Sequence, residues 1–180
     1  MDDLTSEDLK ELLDEQAVEN VRLEFKLERP DKDETLKKLS SFANTFGGYL
    51  IIGAKANSAD GVLTGLPGIQ EPRGFKQQII QWCYDAAFPP IEVFVSPPIP
   101  APSDTTKVCY VFYVPESEEA PHFLNSRKGV YISGQMNSAS VFKHSSPRTM
   151  KSNTSPTGAQ LPWSVKSGLS SVLKNGLMYL

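Results

Sequence analysis

The distribution of apolar and polar residues predicts a helix followed by a strand at the N-terminal end of the chain. Apolar residues recur at helical spacing over residues 5–15, and Thr5 is placed to cap the start of that helix. Residues 21–28 instead alternate between apolar and charged side chains, as a half-buried strand does. The apolar face of this strand is predicted to carry Val21, Leu23, Phe25 and Leu27.

A second helix and a buried strand follow. The helix is predicted to begin at Asp31 or Asp33, and its apolar stripe comprises Leu36, Leu39, Phe42, Ala43 and Phe46. Residues 47–54, GGYLIIGA, are almost continuously apolar, which is typical of a central strand covered on both faces. Gly47 is predicted to end the helix in the left-handed conformation. A phosphate-binding loop requires the opposite order, with the strand before the helix. These glycines are therefore interpreted as structural residues and not as a ligand site.

The rest of the apolar pattern predicts one more helix and several strands. Residues 73–88 are predicted to form the helix, closed by Pro89 and Pro90, with Trp82 and Phe88 on its core stripe. The strands are expected at residues 62–66, 91–96, 107–115, 121–125 and 129–134, with a proline-rich loop at 97–106. The predicted fold class is α/β (α+β), a mixed β-sheet flanked by about three helices.

The composition changes near residue 145. Residues 1–144 are predicted to form one domain, whereas residues 145–180 form a basic linker rich in Ser, Thr and Pro that ends in a short amphipathic segment. That segment carries Leu169, Val172 and Leu173. Its pattern is compatible with a flexible tail that docks on its own domain, on a second copy in a homo-oligomer or on a protein partner.

Charge is distributed unevenly along the chain. The net charge is −3, yet residues 120–180 contain seven basic residues and no acidic residue. The remaining residues hold 11 of the 18 basic residues and all 21 acidic ones, a net charge of −10. A basic segment of this kind indicates a polyanionic partner or a solubilising tail.

Other features narrow the class of protein. No apolar run is long enough to cross a bilayer, so no membrane association is expected. Cys83 and Cys109 have no CxxC or Cys/His spacing and are predicted to be reduced core thiols. A cytoplasmic protein is therefore expected.

Glu24 and Lys26 form a Glu-x-Lys pair, which is found in metal-dependent nucleases but is also an ordinary ion pair on a solvated sheet face.

Three strings in the first half of the chain resemble the Schlafen-type AlbA domain. They are VENVRLEFK, LKKLSSFANTFGGYLIIGA and DGVLTGL, and the resemblance is specific over residues 19–66. It implies a mixed α/β core that binds nucleic acid, DNA or RNA, through phosphate contacts that require no cofactor. The residues expected to make these contacts are Lys26, Lys37, Lys38, Asn44, Thr45, Lys55, Arg127 and Lys128.

The same resemblance implies an alternative function. Nuclease members of the family cleave structured RNA with Mg²⁺ or Mn²⁺ held by three carboxylates, two of which match Glu19 and Glu24. Lys55 stands where the third acid is expected, and Asp60 is the nearest carboxylate. A lysine supplies no ligand oxygen, so the sequence predicts nucleic-acid binding with weak or no catalysis. A metal-dependent endoribonuclease that uses Glu19 and Glu24, with Asp60 or an acid from a partner chain as the third ligand, stays open, as does a protein-interaction scaffold.

Overall fold

The structure, a computed structural model, describes residues 4–126 and 129–133, which contain three helices and ten strands. The helices are α1 (Ser6–Asp14), α2 (Lys32–Ala43) and α3 (Phe75–Ala86). The strands are β1 (Leu23–Lys26), β2 (Gly48–Ile52), β3 (Lys55–Ala56), β4 (Leu63–Gly65), β5 (Ala87–Phe88), β6 (Phe94–Val95), β7 (Ile99–Ala101), β8 (Asp104–Val114), β9 (Phe123–Ser126) and β10 (Gly129–Ile132). This arrangement confirms the predicted mixed α/β class with three helices.

The main sheet has the strand order β1-β2-β8-β6, and β7 pairs with another part of β8. Strands β1 and β2 are parallel, whereas β8 is antiparallel to β2, β6 and β7. Because α2 connects two parallel neighbours, it must cross over one face of the sheet. Two smaller sheets complete the described fold, a hairpin of β3 and β4 and a three-stranded sheet in the order β10-β9-β5.

Two apolar clusters cover the two faces of the main sheet. The first packs α1 against β1, β2 and β8 through Leu9, Leu12, Phe25 and Ile51. The second packs α2 and α3 on the opposite face, where Leu39 and Phe112 are fully buried. All five residues of β2 are buried, which confirms the prediction of a central strand covered on both faces.

Several predicted boundaries were wrong because local turns end the elements earlier. The first strand spans only four residues, so Val21 and Leu27 are exposed. Helix α2 ends at Ala43, which leaves Phe46 exposed, with the Arg22 guanidinium 5.8 Å from its ring centroid. Helix α3 ends at Ala86, and Phe88 lies exposed on β5 instead of in a helical core stripe.

The shortest strands, the two cysteines and the length of the helices were also compared with the predictions. Strands β3 and β5 were not predicted, and the loop predicted at 97–106 was wrong, because β7 and the start of β8 lie within it. Both cysteines are buried, and burial raises the pKa of Cys83 to about 12 and that of Cys109 to about 11, as expected of core thiols. No helix among the described residues is long and apolar enough to span a bilayer.

Gly47 joins α2 to the central strand in the predicted left-handed conformation. Its φ is +71°, and its N–H donates to the Phe42 carbonyl at 2.9 Å. A Cβ at this position would lie 2.7 Å from the backbone N of Glu116 and 2.7 Å from the carbonyl oxygen of Val114. Both the backbone conformation and the tight contact therefore require glycine.

We predict that Gly47→Ala lowers the free energy of unfolding by at least about 2 kcal/mol, because it combines left-handed strain with a clash against backbone. Chemical denaturation monitored by circular dichroism measures this loss. Gly65→Ala is the matched control, since a Cβ there would meet nothing within 4 Å. Equal effects of the two substitutions would contradict the assignment of Gly47.

Candidate functional site

A polar groove of about 260 Å³ lies between the edge strand β1 and helix α2. Its floor comes from β1, where Glu24 and Lys26 pair with Leu50 and Ile52 of β2 and so share the sheet face that α2 covers. The groove is lined by Glu24, Lys26, Glu34, Lys37, Lys38, Ser41 and Ser133.

Helix α2 supplies four of these residues from a single stripe. Glu34, Lys37, Lys38 and Ser41 follow the spacing i, i+3, i+4, i+7, which places them on one side of a helix. The buried stripe of the same helix holds Leu36, Leu39 and Phe42 in the core. Burial of the apolar stripe therefore fixes the polar stripe against the edge of β1.

Four of the groove side chains form a continuous chain of ion pairs. The Lys26 Nζ lies 2.8 Å from Glu34 Oε1 and 3.2 Å from Glu24 Oε1. The other Glu24 oxygen, Oε2, lies 2.6 Å from the Lys38 Nζ. Glu24 is thus held between two ammonium groups, and its side chain is only 16% exposed.

The two lysines on either side of Glu24 are themselves fixed. The hydrogen bond to Glu34 is the largest cause of a raised Lys26 pKa, opposed by desolvation and assisted by Glu24, so this ammonium stays charged at neutral pH. The Lys38 Nζ lies 5.6 Å from the centroid of the Phe42 ring, within the range of a cation–π contact. These contacts hold both ammonium groups at the groove.

Lys37 differs from the other two lysines of the groove. It is exposed on α2, and no ion pair with it is found in the part of the chain that the structure describes. The groove therefore carries three ammonium groups against two carboxylates, and the ammonium for which no ion pair is found among the described residues is on an exposed side chain.

Of the three carboxylates predicted to hold a metal, only Glu24 lines this groove. The Glu19 Oε1 accepts the backbone N–H of Phe25 at 2.8 Å, and Asp60 Oδ1 accepts the N–H of Val62 at 3.0 Å in an exposed turn. Glu24 is already paired with two lysines. Within residues 4–126 and 129–133, no three His, Cys, Asp or Glu side chains are grouped to hold a metal ion. This donor set, as arranged, does not fit a divalent cation.

Lys55 lies near the groove but does not line it. The backbone N–H groups of Gly53 and Ala54 donate to the Lys26 carbonyl at 2.8 Å and 3.0 Å, which places β3 beside the end of β1. The Lys55 side chain is exposed there.

Asn44 lies in the interior, where it links α2 to the three-stranded sheet. Its Nδ2 donates to the carbonyl oxygens of His122 (3.2 Å) and Ser133 (2.8 Å), and its Oδ1 accepts the His122 N–H at 2.7 Å. The residue is 0% exposed. Both amide hydrogens are used, so the predicted nucleic-acid contact would require breaking these bonds, and we leave Asn44 out of the surface proposed below.

The remaining residues predicted to contact nucleic acid are Thr45, Arg127 and Lys128, of which Thr45 is not among the residues that line the groove. Thr45, just beyond the end of α2, donates from its Oγ1 to the carbonyl of Ser41 in the last turn of that helix at 2.8 Å. Arg127 and Lys128 lie outside the described residues.

Sequence reasoning missed the contributions of Glu34, Ser41 and Ser133 to the groove. The i, i+3, i+4, i+7 spacing from Glu34 to Ser41 was the available signal, whereas nothing local marks Ser133.

Comparison with known proteins shows which protein family this chain matches. The family model described as Schlafen, AlbA_2 matches residues 19–139, more than half of the chain. No curated protein matches.

Two solved structures show partial likeness. The N-terminal domain of a RecG-related protein from Nitrosomonas europaea is 18% identical with a TM-score of 0.42, and the match covers 86% of this chain and 95% of that domain. The DIP2311 protein from Corynebacterium diphtheriae is 13% identical with a TM-score of 0.36, and the match covers 70% of this chain and 26% of that protein. Neither likeness is close enough to carry an argument about function.

Proposed function

The chain belongs to the Schlafen AlbA_2 family, and on that premise we propose that it is a nucleic-acid-binding domain that contacts phosphate backbones through the β1–α2 groove. The observation that carries the proposal is the convergence of Lys26, Lys37 and Lys38 from two elements onto one groove. Both elements lie inside the matched region.

The charges in the groove support phosphate binding over base recognition. An ammonium is a point charge that donates to any phosphate oxygen, so three of them specify no sequence. Lys37 is accessible without breaking an ion pair found among the described residues. Lys26 and Lys38 can each exchange or share a glutamate partner when a phosphate enters, because part of each side chain is exposed.

The carboxylates of the groove support binding without catalysis. Glu24 acts as a counter-ion that holds Lys26 and Lys38 in position, and it makes the groove less positive than three free lysines would. Moderate affinity with a strong dependence on salt is the expected consequence. We include Lys55 of β3, which is exposed beside the end of β1, as a further proposed phosphate contact.

The test uses the full chain with a labelled RNA hairpin and a labelled DNA duplex, each with Mn²⁺ or with EDTA, at two salt concentrations. We expect retention of nucleic acid in both EDTA and Mn²⁺, weaker retention at the higher salt, and no cleavage. Glu24→Ala is included as a variant.

Two outcomes would overturn this proposal. Metal-dependent cleavage that disappears in Glu24→Ala would identify an endoribonuclease in which Glu24 leaves its lysine partners to bind metal. If the chain neither cleaves nor retains nucleic acid at low salt, nucleic acid is not the partner of the groove.

A further inference from the structure

An apolar row crosses the outer face of the three-stranded sheet. Phe123 of β9 is directly opposite Phe88 of β5 on one side and Ile132 of β10 on the other. Directly paired residues of antiparallel strands share one face, so these side chains form a continuous row. They are 76% (Phe88), 37% (Phe123) and 43% (Ile132) exposed.

The opposite face of this sheet belongs to the core. Ala87 and Leu124, the neighbours of Phe88 and Phe123, are paired with each other and buried in the cluster that α2 and α3 cover. Tyr84, which precedes Phe88 by four residues, is also exposed at the end of α3. A sheet face with two phenylalanines and an isoleucine is more apolar than a solvated face requires, which indicates a covering partner.

The position of this row relative to the rest of the chain favours one partner. The described chain leaves the sheet at Ser133, immediately after Ile132, and 47 residues follow. Treated as the coil that its Ser-, Thr- and Pro-rich composition predicts, a linker of about thirty residues has an end-to-end distance of about 30 Å, comparable to the diameter of a small domain. The C-terminal segment at the far end of such a linker can therefore return to the row.

The sequence of that segment matches the surface. Between residues 163 and 180, Val165, Leu169, Val172 and Leu173 follow the spacing i, i+4, i+7, i+8, which gives a helix one apolar face. Lys166 and Lys174 are its only charged residues, whereas all 21 acidic residues precede residue 120. Tethering also gives the segment an effective concentration in the millimolar range, so even a weak contact would be occupied.

We propose that residues 163–180 dock in cis on the apolar row formed by Phe88, Phe123 and Ile132. This interaction is independent of the proposed nucleic-acid groove, which lies between β1 and α2 on residues that the row does not include.

Trp163 provides the test, because the chain contains only one other tryptophan, Trp82. In a Trp82→Phe background, we expect the full chain to show Trp163 emission shifted to shorter wavelength and shielded from acrylamide, independently of protein concentration. Phe88→Asp, a change at a largely exposed side chain, should return the emission to that of a solvated indole. Leu169→Asp/Leu173→Asp in the tail should do the same.

Two matched controls separate docking from loss of fold. Val21→Asp changes an exposed apolar residue outside the row, and Ser170→Asp/Ser171→Asp adds the same charges to the tail at positions outside the i, i+4, i+7, i+8 set. Both controls should keep the shifted emission, and circular dichroism should show that every variant is folded.

Three results would overturn the proposal. Solvent-like Trp163 emission in the full-length Trp82→Phe chain, with no further substitution, would exclude docking. A shift that grows with protein concentration would assign the row to a second copy of the chain. A shift that survives Phe88→Asp in a folded protein would place the tail on another surface.

Discussion

Asn44→Ala should lower the free energy of unfolding by about 3–5 kcal/mol, among the largest effects expected of any polar residue in this fold. The substitution leaves the N–H and carbonyl of His122 and the carbonyl of Ser133 without their partner in the interior. An unsatisfied buried polar group costs about 1–3 kcal/mol, and three such groups share one side chain here. Urea denaturation of the full chain measures the change.

The control for this prediction is Asn57→Ala. Asn57 is also an asparagine that accepts a backbone N–H, that of Ala59 at 3.1 Å, but it is exposed in a turn. Its loss should cost less than about 1 kcal/mol, because water replaces the missing partner. If Asn44→Ala were no more destabilising than Asn57→Ala, the amide would not be the link between α2 and the three-stranded sheet.

The second large effect is expected in affinity. Lys37→Gln/Lys38→Gln should weaken nucleic-acid binding about tenfold or more, equivalent to at least about 1.4 kcal/mol. The substitution removes two of the three ammonium groups of the groove and leaves Glu24 paired with Lys26 alone. Fluorescence anisotropy with a labelled duplex, at constant low salt, measures the change.

Two further variants make the affinity result interpretable. Lys10→Gln/Lys107→Gln removes the same number of charges from residues that do not line the groove, and it should change affinity far less. Lys37→Gln alone measures how much affinity comes from Lys37, the groove lysine for which no ion pair is found among the described residues. Equal losses from the groove and control pairs would mean that net charge, and not this groove, determines binding.

The long elements of the fold were predictable because their apolar periodicity extends over several turns or residue pairs. The Thr5 cap, the stripe of α2 and the apolar run of β2 are signals of this kind, and each corresponds to an observed element. Strands of two or three residues, such as β3 and β5, contain too few positions to show a period. They form because longer neighbours offer unpaired backbone groups, which depends on tertiary structure.

The candidate site was predictable in its residue types but not in its pairing. Lysines near β1 and on α2 could be named from the sequence, whereas the link from Glu34 through Lys26 to Glu24 and Lys38 depends on how α2 crosses the sheet. The interior position of Asn44 was equally hidden, because its partners are 78 and 89 residues away in the chain.

The salt dependence of binding tests the central claim most directly. Association constants for the full chain and for Lys37→Gln/Lys38→Gln would be measured with one DNA duplex between about 50 and 200 mM salt. If the groove binds phosphates, the logarithm of the constant falls with the logarithm of salt, and the double variant reduces that slope by about 1.8, or about 0.9 for each lost contact. Identical slopes for the two proteins, or binding that salt does not weaken, would contradict a phosphate-binding groove between β1 and α2.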